Sequence, residues 1–244
     1  MANWSDPRGV GAAAAARAGI DTTAYDAGLR SYMLSVYNYM ASGIFLTGVV
    51  ALLFAQSGMA QQIMGGPGIL KYIIIFSPLA FIMVLNFGLS RLSTVATQAC
   101  FWGFAAIMGL SLSTIFLVYT GESIAQTFFV TAAAFAGLSL YGYTTKRDLS
   151  AMGTFLIMGL VGLFIAMLVN MFLQSSMMNL VISAIGVLIF AGLTAYDTQR
   201  IKSMYAYVAG TDMIGKQIVM AALTLYLDFI NMFQFLLSFM GSRD

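Results

Sequence analysis

Seven stretches of about 20 apolar residues, each long enough to cross the hydrocarbon core of a bilayer as a helix, constrain this chain more than any other feature. They read Tyr32–Gln56, Tyr72–Ser90, Gln98–Tyr119, Ile124–Tyr143, Ala151–Leu173, Leu180–Thr198 and Ile218–Met240, here spans 1 to 7. Their runs lack strand alternation and sit close to helix length, which argues against a β-barrel. Only 8% of residues are charged, against about 25% in an average soluble domain. The expected fold class is an all-α integral membrane protein: seven transmembrane helices over residues 32–241, behind a polar cytoplasmic tail at 1–31. No domain boundary or internal repeat is visible, so one bundle is expected and the inverted-repeat plan of many transporters has no support.

Loop charge sets the expected direction of insertion. Arg8, Arg17 and Arg30 precede span 1, Arg91 follows span 2, Lys146 and Arg147 follow span 4, and Arg200, Lys202 and Lys216 lie between spans 6 and 7. Only Lys71 and Arg243 fall on the other side. By the positive-inside rule the N-terminus is cytoplasmic and the C-terminus is not. The segment AAAAARAG resembles a processing site, but no apolar stretch precedes it, so no cleaved signal peptide is expected. A bacterial inner membrane is the expected location, because no organelle-retention signal is present.

Several chemistries are set aside. The few Lys and Arg are scattered rather than clustered, which excludes nucleic acid as a partner. The single cysteine, Cys100, excludes an internal disulfide and reads as a packing residue. GGPG, residues 65–68, is turn chemistry rather than a phosphate cradle. The 18 methionines read as adaptable filler, and Glu122 as a solvated loop charge. No cofactor is expected. Histidine is absent, so any pH response near neutrality must come from carboxyl groups in unusual surroundings.

Span 7 carries one. Within LYLDFINMF, Asp228 sits in an apolar run, where an ionised carboxylate costs about 2.5 to 3.5 kcal/mol on insertion scales. At 100° per residue Gln217, Thr224, Asp228, Asn231, Gln234 and Ser238 fall within roughly a 120° sector. Leu227 and Phe235 interrupt that stripe. Such a face belongs against other helices or a water-filled cavity, as an ion pathway or as interhelical glue. A second acid, Asp197 in LTAYDTQRIK, stands about one turn from Arg200, its local partner if the pairing is only within span 6. Arg91 is expected at a similar depth, either as an interhelical partner of Asp197 or as a topology charge that snorkels to headgroups. On these boundaries Asp228 lies about 18 Å into the membrane and Asp197 only about 5 Å. The two would touch only if a helix runs past its apparent end or if water fills a vestibule.

AYDTQRIK followed by LYLDFINMFQFLL resembles the paired signatures of the transmembrane Bax inhibitor motif, or Bax inhibitor-1, family. YGYTTKRDLSAMG and the Arg-bearing end of span 2 resemble it as well, so the likeness extends over most of the chain. What the resemblance implies is a seven-helix fold with helix 7 at its centre. It also implies an acid pair at Asp197 and Asp228, an arginine latch at Arg91, and a pH-sensitive calcium leak.

The chemistry of such a pair is simple. Two carboxyls held close in a low-dielectric interior cannot both ionise cheaply, so they would share a proton. Protonation would release Arg91 from Asp197. Calcium takes six to eight oxygens, so two carboxylates with Asn231 and waters would make a weak site, which suits a permeating ion. The expected partners are calcium, protons and the bilayer. A second reading, which the resemblance also implies, is a non-conducting regulator bound to another membrane protein, such as a membrane-bound ATP-dependent protease. An enzyme is not expected: intramembrane aspartyl proteases also pair two aspartates, but span 7 reads LYLD where they carry GxGD, and no PAL motif follows. A retinal photoreceptor would need a lysine within span 7, and Lys216 lies at its edge.

Overall fold

A computed structural model describes residues 22–66, 68–88 and 92–242. Arg8, Arg17, Pro67, Arg91 and Arg243 lie outside the described residues. Those described form helices α1 (Thr22–Gln56), α2 (Met59–Gly65), α3 (Leu70–Gly88), α4 (Thr94–Leu112), α5 (Ile115–Val118), α6 (Gly121–Thr144), α7 (Ser150–Leu173), α8 (Ser176–Val208) and α9 (Ile214–Met240). Seven spans are long and apolar enough to cross a membrane: α1, α3, α4 with α5, α6, α7, α8 and α9. Their exposed surfaces are apolar, with Phe87, Phe129 and Phe172 all more than 70% exposed. Water would not tolerate a surface so rich in exposed aromatic rings; lipid does.

Local chemistry fixes several helix ends. The Ser93 hydroxyl accepts from the Ala96 amide (3.2 Å) at the start of α4, and Ser175 accepts from Met178 (3.3 Å) at the start of α8. Both satisfy amides that no preceding turn can reach. Gln174 ends α7 in the left-handed region at φ 50°.

Two helices are longer than hydropathy suggests. α1 begins ten residues before Tyr32, and α8 continues ten residues beyond Thr198. These extensions are amphipathic rather than uniformly apolar, and they pair with each other. The Tyr205 ring of α8 packs against Tyr25 (5.2 Å between centroids) and Tyr32 (5.3 Å) of α1. Gly28 lies against the Tyr205 hydroxyl, where a side chain would collide. A hydropathy window measures transfer into lipid and is blind to a helix face that buries itself on another helix. Arg200 and Lys202 are consequently helical residues, and the connection from α8 to α9 is only residues 209–213.

The chain divides into two compact units. The first contains 22–34, Gln126–Thr211 and Leu227–Gly241. Its core is built from residues such as Leu156, Ile189, Leu193, Phe229 and Leu237, with Phe229 packed edge-on against Phe128 and Phe135 at 5.6 Å from each. The second contains Ser35–Ala125 and Asp212–Tyr226 with the last residues from Ser242. There the fully buried Tyr226 meets Phe104 edge-on at 5.3 Å, and its hydroxyl lies 2.7 Å from that of Thr47, which in turn donates to the Ala105 carbonyl. α9 contributes to both units and is the most buried of the seven spans.

Close helix approach in the first unit depends on glycine at particular points. A Cβ on Gly142 of α6 would meet the backbone of Ala195 in α8, which cannot rotate away, whereas one on the exposed Gly137 would meet nothing within 4 Å. Gly142→Ala should therefore cost about 1–3 kcal/mol through overpacking, while Gly137→Ala should gain about 0.5–1 kcal/mol through helix propensity. Unfolding free energies measured side by side in detergent check this, and equal stability of the two variants would contradict the packing described.

Candidate functional site

Both acids belong to the first unit. Asp197 is 8% exposed and Asp228 5%. Their carboxyl groups hydrogen-bond to each other, with Arg200, one turn along α8, acting electrostatically on Asp197. Among the described residues no hydrogen-bond donor reaches the fully enclosed Oδ2 of Asp228. An ionised carboxylate only accepts hydrogen bonds. A bond between two carboxyls therefore exists only while at least one carries a proton.

The longer α8 explains how they meet. Asp197 lies eleven residues before the end of α8 and Asp228 fourteen after the start of α9, about 16 and 21 Å from the respective ends at 1.5 Å per residue. The short connection makes the two helices antiparallel, so these depths nearly match. The depth mismatch expected from span boundaries arose because span 6 was ended at Thr198, inside the helix.

Sequence spacing places a long face of α8 toward this site. Asn179, Ser183, Gly186, Phe190, Thr194 and Asp197 fall within about an 80° sector, and so do Asp228, Asn231, Phe235 and Ser238 on α9. The hydroxyls of Thr194 and Thr198 donate to carbonyls four residues earlier, both at 2.8 Å, and Thr198 also lies 3.0 Å from the Ser139 hydroxyl of α6. Back-bonding of this kind satisfies a hydroxyl in an apolar interior at little cost.

The other expected site residues are placed differently. Asn231 is half-buried and its amide donates to the Leu227 carbonyl (2.7 Å); the Thr224 hydroxyl donates to Met220 (3.1 Å). Thr224 falls in the second unit and Asp228 in the first. Gln234 is exposed rather than part of an inward stripe. Conversely, the apolar residues Ile230, Phe233 and Leu237 are buried, so the face opposite Asp228 also packs on protein. Arg91 lies outside the described residues.

One polar cluster escaped the sequence reading. Gln199, two residues beyond Asp197, is buried and grips the connection between α6 and α7: its Oε1 accepts from the Leu149 amide (2.9 Å) and its Nε2 donates to the Arg147 carbonyl (2.8 Å). Lys202 donates to the Tyr143 carbonyl (2.9 Å) with its ammonium 4.7 Å from the centre of the Tyr143 ring. A lone glutamine among charged residues gives no periodic signal, so only the fold reveals the clamp. In the same connection Asp148 accepts from the side chain and the backbone amide of Ser150, which hold its carboxyl below the usual carboxylate range.

As a metal site the arrangement is sparse. Among the described residues no three acids, histidines or cysteines gather around one point, so Asp197 and Asp228 could give a calcium ion only part of its six to eight oxygens.

Known proteins resemble this chain over nearly its whole length. The family described as inhibitor of apoptosis-promoting Bax1 matches residues 29–244. The inner membrane protein YbhL of Escherichia coli K12 is 44% identical over 219 residues, covering 89% of this chain and 94% of that one. RP147 of Rickettsia prowazekii is 49% identical over 220 residues, or 90% of this chain and 92% of its own. A protein of Caulobacter vibrioides is 44% identical over 231 residues, covering 89% and 91% of the two chains.

The carboxyl–carboxyl bond has a thermodynamic signature. Asp197→Ala and Asp228→Ala should each cost about 1–3 kcal/mol, because each leaves a buried polar partner unsatisfied. Combined, they should cost less than their sum by about 0.5–3 kcal/mol. A double-mutant cycle on unfolding free energies in detergent reads the difference, and strict additivity would mean that the two groups do not interact.

Proposed function

The chain belongs to the Bax inhibitor-1 family, and from that premise we propose that this integral membrane protein is a pH-sensitive cation leak, passing calcium, whose gate is the Asp197–Asp228 pair. The observation that carries the reading is the hydrogen bond between two buried carboxyls on helices of membrane-spanning length. Loss of the shared proton turns a closed pair with a single negative charge into two like charges a few ångströms apart. They repel each other and attract a cation. Proton gain reverses both effects, so protonation and cation binding compete for one pair of oxygens.

The mechanism gives a role to two arginines. Arg200 acts on Asp197 from the same helix, and Arg91 takes the latch role that the family pattern gives it. Neither Asn231 nor Thr224 is needed as a first ligand here; with their donors turned to backbone carbonyls, they can line a path through their remaining oxygen lone pairs. No bond-breaking step is assigned to the pair, so the protein is not read as an enzyme and needs no cofactor. The likeness to the inner membrane protein YbhL of Escherichia coli supports an inner-membrane location, and the loop charges support a cytoplasmic N-terminus with the C-terminus opposite.

Purified protein in calcium-free liposomes provides the test. Calcium entry should change across a pH series for the parent protein, and Asp228→Asn, which cannot share a proton in the same way, should lose that dependence. An Asp228→Asn protein that leaks with the parent's pH profile would remove the mechanism. A parent that moves no ions by itself, yet acts in cells with a co-purifying membrane protein, would make it a regulator instead.

A further inference from the structure

Beyond the acid pair, the face shared by α8 and α9 changes character twice. Next to Asp197 and Asp228 comes an aromatic layer: Phe190 and Phe235 stack with ring centroids 5.8 Å apart and an interplanar angle of 24°. Past it lies a second polar layer, where the Asn179 amide is 3.3 Å and the Ser183 hydroxyl 3.0 Å from the Ser238 hydroxyl. On α8 the aromatic layer is about 10 Å from Asp197 and about 10 Å from Ser183 along the axis. The stack is seated rather than incidental. Phe235 lies over Gly186, where a Cβ would come within 2.6 Å of its ring, so the absence of a side chain on α8 makes the notch that holds the ring. Phe190 is itself buried.

Polar groups are expensive in a bilayer and are placed where they find partners. Two such layers on one interface, divided by a single pair of rings, have the form of a path with a hydrophobic constriction, which water and ions cross only when the rings part. We propose that the Phe190–Phe235 stack is the closure between the acid pair and a second, neutral oxygen-rich station for the same cation, formed by Asn179, Ser183 and Ser238. This rests on the leak reading, but the barrier itself is a statement about access and can be measured without any cation flux.

Three substitutions open the closure in different ways: Phe190→Ala and Phe235→Ala each remove a ring, and Gly186→Ala keeps both rings but expels Phe235 from its notch. Each is first checked for monodisperse elution and helical content. In liposomes, calcium entry should rise roughly tenfold for the folded variants, equivalent to about 1.4 kcal/mol off the barrier. Access is read separately in a Cys100→Ser background carrying Thr194→Cys, which sits between Phe190 and Asp197, with the half-buried Ser238→Cys as reference. A quaternary-ammonium methanethiosulfonate added on the Ser238 side should label position 194 only when the stack is opened. Increased labelling without flux in any protein would keep the barrier and remove the leak reading. Flux in the parent with neither faster flux nor labelling in any folded variant would remove the barrier and keep the leak. Gly186→Ala serves if both ring deletions fail to fold, and parent-like flux and labelling in it would overturn the proposal.

Discussion

A hydrogen bond between two carboxyl groups inside a membrane-spanning bundle is the constraint on which the rest of this structure depends. Ionised, either acid would cost several kcal/mol at that depth, and two together would add mutual repulsion. Joined through a proton, the pair carries one negative charge instead of two and is largely satisfied. The bond requires that α8 and α9 bring residues 31 positions apart to one level, which a short connection between two long antiparallel helices does. It also requires that little else polar remain unmet nearby, and the threonines of α8 meet this by bonding to their own backbone. The enclosed Oδ2 of Asp228, which no donor among the described residues reaches, belongs to the pair at the centre of the proposed activity.

Packing around the pair follows from residue size. Gly142 lets α6 approach Ala195, two residues from Asp197, and Gly186 admits the ring of Phe235. Gln199 then fastens the α6–α7 connection to the same stretch of α8. A shift of α8 that separates the acids would therefore pull on a loop carrying Lys146, Arg147 and Asp148. In membranes such fitted contacts matter more than apolarity, since lipid tails are as apolar as any side chain.

The existence of seven spans was legible in the sequence because transfer into hydrocarbon is a local property that each run of residues carries by itself. Where the helices stop was not. Tyr205 is held by Tyr25 and Tyr32, contacts between distant segments that no window on either segment contains, and missing them set Asp197 too close to the end of its helix. The acids stood out because a charge in an apolar run is conspicuous. Phe235 was visible as a break in the polar stripe, but its meaning depended on Phe190, which looks like any other core residue until the helices are paired. Gln234 shares the angular sector of Asp228 yet faces outward, since a 120° sector is wider than the contact one neighbouring helix makes.

The most direct measurement is the separation of the Asp197 and Asp228 carboxyls in experimental structures solved at an acid and an alkaline pH. The account predicts a hydrogen-bonded pair at acid pH and, once both groups are ionised, carboxylates pushed apart or bridged by a cation. The same separation at both, with no cation between the oxygens at alkaline pH, would contradict it.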